Sequence, residues 1–261
     1  MAKVVLHPRS NGVRQRVSPL LRPISVDDTC KTERYCSRVI PKNGQNNSSA
    51  MNKCLTSFGY GYQKGNFEKS SPLFLEYAQK HGYDYFVPNL ESFSKWRKEN
   101  PDKCYAWLKL PLLSDLLSRY DLVVWLDADI VIMDNTTDIL SEAGQSPMSM
   151  VVHQVKKGRH PNTGVWLLRK EAKSIIDSID IKTPVPYHVK RWYEQVALHR
   201  HFGMDLWTSP LNTPKTDDWS ELPYRFNAIK PDERAIPKDA AFIHAAGFQD
   251  VFDEAYQRKA K

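Results

Sequence analysis

The feature that most constrains the fold is an uninterrupted apolar run, Leu122–Leu126, followed at once by Asp127-Ala128-Asp129. Five apolar residues in succession have the length of a strand, and the absence of polar alternation is typical of a strand buried on both faces of a parallel sheet. Open α/β sheets bind their ligands at the carboxyl ends of such strands. The sequence therefore predicts an α/β domain with Asp127 and Asp129 at its ligand-binding edge.

Strand and helix patterns alternate along much of the remaining chain. Ser71-Pro72 indicates a helix start and Gly82 a helix stop, because serine caps a first turn, proline fits it and glycine ends the last turn. Two successive strand–helix–strand units favour a mixed but mainly parallel sheet, flanked by helices, with right-handed crossovers. The predicted strands are Cys54–Phe58, Tyr83–Val87, Leu122–Leu126, Met148–His153, Val165–Leu168 and Ala241–His244. The predicted helices are Leu73–His81, Tyr105–Tyr120, Lys170–Ile179 and Val189–His201.

The excess of basic residues lies in the first 50 residues. Of 37 Lys and Arg against 30 Asp and Glu, residues 1–50 hold nine and three, so the remaining chain is nearly neutral. A nucleic-acid-binding domain carries its basic face on the folded body, so we expect no nucleic-acid partner. We expect residues 1–50 to be a basic, mostly disordered leader or stem, the alternative being an arm for nucleic acid or an anionic membrane. Residues 51–261 would form the folded domain.

The sequence lacks the motifs of two classes of nucleotide-binding enzymes, and it lacks an apolar run long enough to span a membrane. The chain has neither the glycine-rich loop of NTPases nor the glycine fingerprint of dinucleotide-binding enzymes. A membrane-spanning helix needs about 20 mostly apolar residues, and the sequence contains no run of that length. We therefore expect no transmembrane segment in this chain.

Asp127 and Asp129 are the strongest candidates for chemistry. Carboxylates two residues apart at a strand end can turn into one crevice, and paired hard oxygen ligands suit Mg²⁺ or Mn²⁺, which would neutralise a diphosphate. They could instead be two solvated acids at a loop. The same motif also fits phosphatases in which Asp127 would be the nucleophile and Asp129 the general acid. Those enzymes carry it on their first strand, whereas here about 70 residues of folded chain precede it.

Five segments occur in an order that resembles a known enzyme class. They are Trp107–Leu113, Trp125–Asp129, Asn162–Arg169, Glu194–Leu198 and Ile243–Gly247. Together they resemble GT-A-fold, nucleotide-sugar-dependent glycosyltransferases. More narrowly, the chain is similar to the family of fungal α-galactosyl- and α-mannosyltransferases and plant xyloglucan xylosyltransferases, over residues 53–248.

The resemblance implies one GT-A-like (Rossmann-like) domain and a transfer reaction. A hexose or pentose would move from a nucleotide diphosphate sugar to the hydroxyl of a saccharide or glycan acceptor, with retention of configuration. A UDP-sugar is favoured over a GDP-sugar as the donor. Members of the family usually work in the Golgi lumen, and a relative from a source without that compartment would be cytoplasmic.

The resemblance also implies a metal site. Asp129 would ligate the ion directly, Asp127 would hold the ribose or the ion through water, and His244 would supply an imidazole ligand. An imidazole with carboxylates and diphosphate oxygens suits Mn²⁺ somewhat better than Mg²⁺. Without the resemblance, His244 could equally be a hydrogen-bonded histidine at a strand end.

Further donor contacts follow from the same resemblance. Thr56 and Ser57 would lie where such folds hold the base and ribose, although both could be turn residues. Lys109, on the helix before the Asp-x-Asp strand, could reach a phosphate or could be a solvated lysine.

Three more donor-binding residues lie later in the chain. Asn162 and Gly164 would contact sugar hydroxyls, and Gly247 would let the backbone approach the diphosphate. Related enzymes often have a lysine shortly after the His-x-x-Gly motif. This chain has Phe248-Gln249 there instead, so the diphosphate charge must be met elsewhere.

Glu194 and Gln195 are the catalytic candidates that the resemblance provides. Gln195 would supply a dipole to the cationic sugar of the transition state, and Glu194 would contact sugar hydroxyls or the acceptor. The main alternative to an enzyme is a sugar-binding module with a dead site.

Overall fold

The computed structural model describes residues 38–40, 51–155, 158–183, 192–204 and 216–261. Apart from residues 38–40, the predicted leader therefore lies outside the described residues. The strands are β1 (Arg38–Ile40), β2 (Lys53–Thr56), β3 (Asp84–Val87), β4 (Leu122–Leu126), β5 (Ile130–Ile132), β6 (Met148–Val155), β7 (Gly158–Arg169), β8 (Trp219–Leu222) and β9 (Phe242–His244). The α-helices are α1 (Lys64–His81), α2 (Ser94–Glu99), α3 (Lys109–Leu117), α4 (Ala172–Ser178), α5 (Glu194–His201) and α6 (Gln249–Lys259).

The main sheet has the strand order β1-β3-β2-β4-β7-β6-β8. Strands β3, β2 and β4 are parallel, as are β6 and β8. The pairs β1–β3, β4–β7 and β6–β7 are antiparallel. Strand β4 is central, and all five of its residues are buried, as its unbroken apolar run predicts. The predicted α/β class with helices flanking a mixed sheet is confirmed.

Helices cover both faces of this sheet. On one face, Val123 and Trp125 of β4 belong to the same apolar cluster as α3 and α4. On the other face, Val124 and Leu126 of β4 belong to the cluster that contains Phe74 of α1. Because successive strand residues point to opposite faces, β4 contributes to both cores and its end is rigidly fixed.

A second, two-stranded sheet positions the far end of the chain. Strand β5 follows the Asp-x-Asp motif directly and pairs with β9, with Ile130 opposite His244. Helix α6 packs on this sheet through Phe252, which clusters with Val131 and Ile243. A pairing between residues more than a hundred positions apart thus brings His244 next to Asp129.

The first helix begins earlier than its capping signals predict. Helix α1 runs from Lys64 and contains Pro72 in its interior, so the prediction of a start at Ser71-Pro72 is wrong. Proline lacks an N–H and removes one helical hydrogen bond. The buried residues of α1 continue on both sides of it, from Asn66 to Ala78, and this packing holds the helix together. Gly82 ends the helix in the left-handed conformation, as predicted.

The other elements agree in position with the predictions but differ in extent. The predicted helix Tyr105–Tyr120 is a 3₁₀ turn, Tyr105–Leu108, followed by α3, whose first turn contains Pro111. The predicted helix Val189–His201 corresponds to α5, and its first three residues lie outside the described residues. Strands β1, β5 and β8 and helices α2 and α6 are additional elements, and β1 lies in the predicted leader. None of the helices in the described part of the chain is long and apolar enough to cross a membrane.

Candidate active site

Three remote segments of the chain meet at the carboxyl end of β4. The backbone N–H of Asp127 donates to the carbonyl oxygen of Gly164 at 2.7 Å, which extends the β4–β7 ladder by one residue. The register of β5 and β9 places His244 opposite Ile130, the residue after Asp129. The fold therefore brings the ends of β4 and β9 and the middle of β7 to one place.

Asp127, Asp129 and His244 form a cluster that could hold a metal ion. One ligand atom from each lies within 4.8 Å of the others. The Nε2 atom of His244 is 3.4 Å from Oδ1 of Asp129 and 3.7 Å from Oδ2 of Asp127. Neighbouring ligands bound at about 2.1 Å to one Mg²⁺ lie about 3 Å apart, and opposite ligands about 4 Å apart. The separations and the donor set, two carboxylates and one imidazole, therefore fit one Mn²⁺ or Mg²⁺.

Asp129 is almost completely buried and is oriented by two donors. Its Oδ2 accepts hydrogen bonds from the backbone N–H of Gly247 at 3.0 Å and from Nε2 of Gln63 at 3.2 Å. Burial by itself raises the pKa of Asp129, but the charge and hydrogen bond of His244 and the Gly247 N–H outweigh it and lower this pKa to about 2. Asp129 is therefore a carboxylate at neutral pH, as a metal ligand must be.

His244 is held against a glycine. Its Nδ1 lies 2.9 Å from Oδ1 of Asn227, and the ring packs on the Cα of Gly164. A Cβ at position 164 would lie 2.4 Å from Cε1 and 2.6 Å from Nδ1 of this ring. Gly164 is therefore required for His244 to occupy this position, independently of any contact with a sugar. Burial lowers the pKa of His244, but the carboxylates of Asp129 and Asp127 outweigh that effect and raise it.

Lys109 forms a charge cluster with Asp127 and Glu194, next to the three metal-binding candidates. Its Nζ is 2.5 Å from Oε1 of Glu194 and donates to Oδ1 of Asp127 at 3.0 Å and to the carbonyl oxygen of Thr163 at 3.2 Å. Burial by itself lowers the pKa of Lys109. The carboxylates of Asp127 and Glu194 have the larger effect and raise this pKa, so that the ammonium stays charged. With three acceptors for its three hydrogens, Lys109 orients Asp127 and Glu194. Its predicted contact with a phosphate stays a prediction.

Glu194 and Gln195 begin α5 and face β7. Oε1 of Glu194 accepts from the hydroxyl of Thr163 at 3.0 Å. Oε1 of Gln195 accepts from the backbone N–H of Thr163 at 3.1 Å and from Nδ2 of Asn162 at 3.0 Å. Both side chains are buried. The two predicted catalytic residues and Asn162 therefore belong to one polar network, which touches the metal-binding candidates through Lys109.

Thr56 and Ser57 are buried at the end of β2. The Thr56 hydroxyl donates to the carbonyl oxygen of Phe86 on the neighbouring strand at 2.8 Å. The Ser57 hydroxyl is buried and has no hydrogen-bond partner among the described residues. Buried hydroxyls are normally paired, so Ser57 is the better of the two candidates for a ligand contact.

The backbone is strained at two places that border this site. Ala246 has a φ of 52° and Tyr193 a φ of 51°, both in the left-handed region that favours glycine. Gly247, with a φ of 87°, directs its N–H at Asp129. Tyr193 immediately precedes Glu194 at the start of α5. Strain of this kind is stored where the surrounding structure fixes a functional geometry.

Gln63 and Asn227 are site residues that sequence reasoning misses. Gln63 follows a loop of glycines and aromatic residues after β2, a pattern that indicates a turn and no more. Asn227 lies between Phe226 and β9 in a segment without periodicity. Both act through contacts with residues more than ten positions away, and local sequence patterns carry no signal for such contacts.

Comparisons with known proteins give one family match and a set of similar folds. Residues 64–175 match the model of the galactosyl transferase GMA12/MNN10 family. No curated protein sequence matches the chain. A solved glycosyltransferase involved in the glycosylation of the major capsid of PBCV-1 superposes with a TM-score of 0.53 at 18% identity, covering 81% of this chain and 99% of that one. This likeness shows a shared fold.

Two further solved structures are less similar. The bifunctional glycosyltransferase WbbM has a TM-score of 0.49 at 14% identity, covering 82% of this chain and 51% of that one. Mouse xyloside xylosyltransferase 1 has a TM-score of 0.44 at 8% identity, covering 74% and 97%. Over residues 64–175 in sequence, and in fold, the chain resembles the GT-A-fold glycosyltransferases of the galactosyl transferase GMA12/MNN10 family.

Proposed function

We propose that this protein is a glycosyltransferase that moves a hexose or pentose from a nucleotide diphosphate sugar to a saccharide hydroxyl, with retention, in a reaction that depends on Mn²⁺ or Mg²⁺. The observation that carries this proposal is the meeting of Asp127, Asp129 and His244 within 4.8 Å at the end of β4. A divalent ion bound there would neutralise the diphosphate and make it a better leaving group. Mn²⁺ is favoured over Mg²⁺ by the imidazole, and a UDP-sugar over a GDP-sugar by the resemblance in sequence.

The chain's own residues hold the ligands of the ion in place. Lys109 fixes Asp127 from behind, and Gln63 and the Gly247 N–H fix Asp129. Pre-oriented ligands bind a metal more tightly, since little ordering remains to be done on binding.

The donor would lie across the carboxyl edge of the sheet, between β2 and β7. We assign its binding to residues from five segments, which are Thr56, Ser57, Lys109, Asp127, Asn162, Gly164 and Gly247. The unpaired Ser57 hydroxyl supports this assignment, and so does the side-chain amide of Asn162 in β7, which is only half-buried.

We assign catalysis to Gln195 and Glu194. Two donors orient the carbonyl oxygen of Gln195, so that it acts on a cationic sugar as a fixed dipole that need not reorganise. The carboxylate of Glu194 forms an ion pair with Lys109. A carboxylate whose charge is balanced in this way is a weaker nucleophile, so we assign Glu194 to a contact with sugar hydroxyls and not to attack on the sugar.

The experiment is a thermal-shift and turnover panel with UDP- and GDP-sugars, each in Mn²⁺, Mg²⁺ or EDTA. We expect stabilisation by one nucleotide only when metal is present, together with slow release of its sugar. The wild type is compared with Asp129→Asn and with Asp250→Asn, whose carboxylate is exposed and pairs with Lys230. Asp129→Asn should lose the metal-dependent response and Asp250→Asn should keep it. The anomeric configuration of the product, read by NMR, tests retention.

Three outcomes contradict the proposal in different ways. Stabilisation without sugar release, after a screen of saccharide acceptors, would mean a binding module with a dead site. Full turnover in EDTA would refute metal dependence. Equal activity of Asp129→Asn and wild type would refute the assignment of the site to this cluster.

A further inference from the structure

The side-chain amides of Asn227 and Asn162 form a chain of hydrogen bonds, the amide chain, that connects His244 to Gln195. Oδ1 of Asn227 lies 2.9 Å from Nδ1 of His244, and Nδ2 of Asn227 donates to Oδ1 of Asn162 at 2.8 Å. Nδ2 of Asn162 then donates to Oε1 of Gln195 at 3.0 Å. Asn227 is fully buried, so its side-chain amide is shielded from bulk water. The chain joins the candidate metal ligand to the candidate catalytic residue.

Two backbone N–H groups fix the donor and the acceptor of every hydrogen bond in the amide chain. The N–H of Gly164 donates to Oδ1 of Asn162 at 2.8 Å, and the N–H of Thr163 donates to Oε1 of Gln195 at 3.1 Å. A backbone N–H can only donate, so the side-chain atom facing it must be an oxygen. Neither Asn162 nor Gln195 can be rotated by 180° without leaving a buried N–H opposite an amino group.

The orientation of Asn162 determines the direction of the hydrogen bond between Asn227 and His244. Because Oδ1 of Asn162 is an acceptor, Asn227 must present its amino group to it and its carbonyl oxygen to the imidazole. An oxygen facing Nδ1 requires a hydrogen on that nitrogen. Whenever the imidazole is neutral, as it must be to bind a cation, its proton is therefore on Nδ1 and its lone pair is on Nε2, which faces Asp129 and Asp127.

We infer that Asn227 is a positioning residue that selects the Nδ1–H tautomer of His244 and so makes Nε2 available to a divalent cation. The inference rests on the metal site of the proposed function. In the opposite tautomer, the lone pair of Nδ1 would face the oxygen of Asn227, and Nε2 would carry a hydrogen where a cation has to bind. The main chain of Asn227 is itself fixed, because its carbonyl oxygen lies 2.8 Å from Nε2 of buried His153.

The test separates Asn227→Leu from Asn227→Asp. Leucine removes the acceptor for Nδ1–H, whereas aspartate keeps an oxygen there, loses the donor to Asn162 and adds a negative charge. We expect Asn227→Leu to raise the dissociation constant for Mn²⁺ about 10- to 100-fold, the range for residues that orient a metal ligand. Asn227→Asp should bind Mn²⁺ at least as tightly as wild type. Ser149→Ala is the control, because it removes a buried hydrogen bond to Ser220 without touching the amide chain. Free Mn²⁺ is measured by electron paramagnetic resonance, with no nucleotide present.

A second measurement does not depend on how the variants fold. Nitrogen-15 NMR of wild-type protein saturated with Mg²⁺, with His244 assigned from the spectrum of His244→Gln, should show the proton on Nδ1. A proton on Nε2 would overturn the inference. Equal Mn²⁺ affinities for wild type and a folded Asn227→Leu would also overturn it, although the proposed function would survive. A wild type that binds no divalent cation would instead refute the metal site and this inference with it.

Discussion

Replacing Gly164 with alanine should destabilise the fold and weaken metal binding together. The new Cβ would lie 2.4 Å from Cε1 of His244, 2.6 Å from Nδ1, and 2.8 Å from Oδ1 of Asn162. Ordinary contacts of a Cβ begin at 3.4 Å, so the imidazole has to retreat by about 1 Å. The carbonyl oxygen of Gly164 accepts the N–H of Asp127, and its own N–H donates to Oδ1 of Asn162, so the ring has to move rather than the backbone.

The magnitude follows from what that movement breaks. A retreat of about 1 Å would take Nδ1 of His244 out of hydrogen-bond range of Asn227, from which it is now 2.9 Å away. The lost bond costs about 1 kcal/mol, and overpacking costs about 1–3 kcal/mol. We expect the free energy of unfolding to fall by about 3 kcal/mol. The dissociation constant for Mn²⁺ should rise at least about tenfold, because one ligand is displaced.

The free energy of unfolding is measured by urea denaturation with tryptophan fluorescence as the signal. The dissociation constant is measured by titration with Mn²⁺. Two other glycines serve as controls. A Cβ at Gly65 of α1 meets nothing within 4 Å, so Gly65→Ala should stabilise the helix by about 0.5–1 kcal/mol. A Cβ at Gly144 would lie 2.6 Å from Oγ of Ser220, so Gly144→Ala should lose stability and keep its affinity for Mn²⁺.

A double-mutant cycle with His244→Ala tests whether the close contact with His244 causes the loss of stability in Gly164→Ala. Without the imidazole only the close contact with Oδ1 of Asn162 remains, so the cost of Gly164→Ala should fall by about 2 kcal/mol in that background. The same cost in both backgrounds would refute the conclusion that Gly164 accommodates His244. Unchanged stability and unchanged Mn²⁺ affinity in the single variant would refute it as well.

Two further predictions concern buried charge. Lys109→Met should lower the free energy of unfolding by about 3–5 kcal/mol, because it leaves Asp127 and Glu194 without their cation, and adding Glu194→Gln should restore part of it in urea denaturation. Burial lowers the pKa of His199 to about 3, so the folded state resists its protonation while the unfolded state, with a pKa near 6.5, does not. The unfolded state therefore binds more protons between these values, and the stabilising effect of neutral His199 is lost as the pH falls below about 6.5. His199→Gln should remove about 2 kcal/mol of the loss in stability between pH 7 and pH 5.

The outcomes that contradict these predictions are separate. If Lys109→Met is as stable as wild type, the two carboxylates are compensated by another group. If the double variant is no more stable than Lys109→Met, then Glu194 is not the uncompensated charge. If wild type and His199→Gln lose stability equally between pH 7 and pH 5, then His199 is not neutral in the folded state.

The central strand and its two aspartates could be predicted because their signal is local. Leu122–Leu126 is apolar without interruption, and only a strand with both faces covered accommodates that pattern. The position of the site at its carboxyl end follows from the sheet topology. For α1 the local signal misleads, because Ser71-Pro72 has the composition of a helix start and yet packing carries the helix through it.

The rest of the site could not be predicted because it depends on pairing across the chain. That His244 would lie beside Asp129 came from resemblance alone, since the register of β5 and β9 is not visible in either segment. Gly164 reads as an ordinary strand glycine until the His244 ring is seen against it. Asn227 carries no local signal at all, although it forms two of the bonds that orient the site.

The charges of the site determine the order in which ligands can bind. Among the described residues, Asp127, Asp129 and Glu194 contribute three negative charges and Lys109 one positive charge, which gives a formal charge of −2 with a neutral His244. A diphosphate approaching this cluster alone would be repelled, because the ammonium of Lys109 is already shared between two carboxylates. A divalent cation balances the cluster, so a nucleoside diphosphate should stabilise the protein only in its presence. Stabilisation by UDP or GDP in EDTA, equal to that in Mn²⁺, would mean that cations outside this cluster bind the diphosphate.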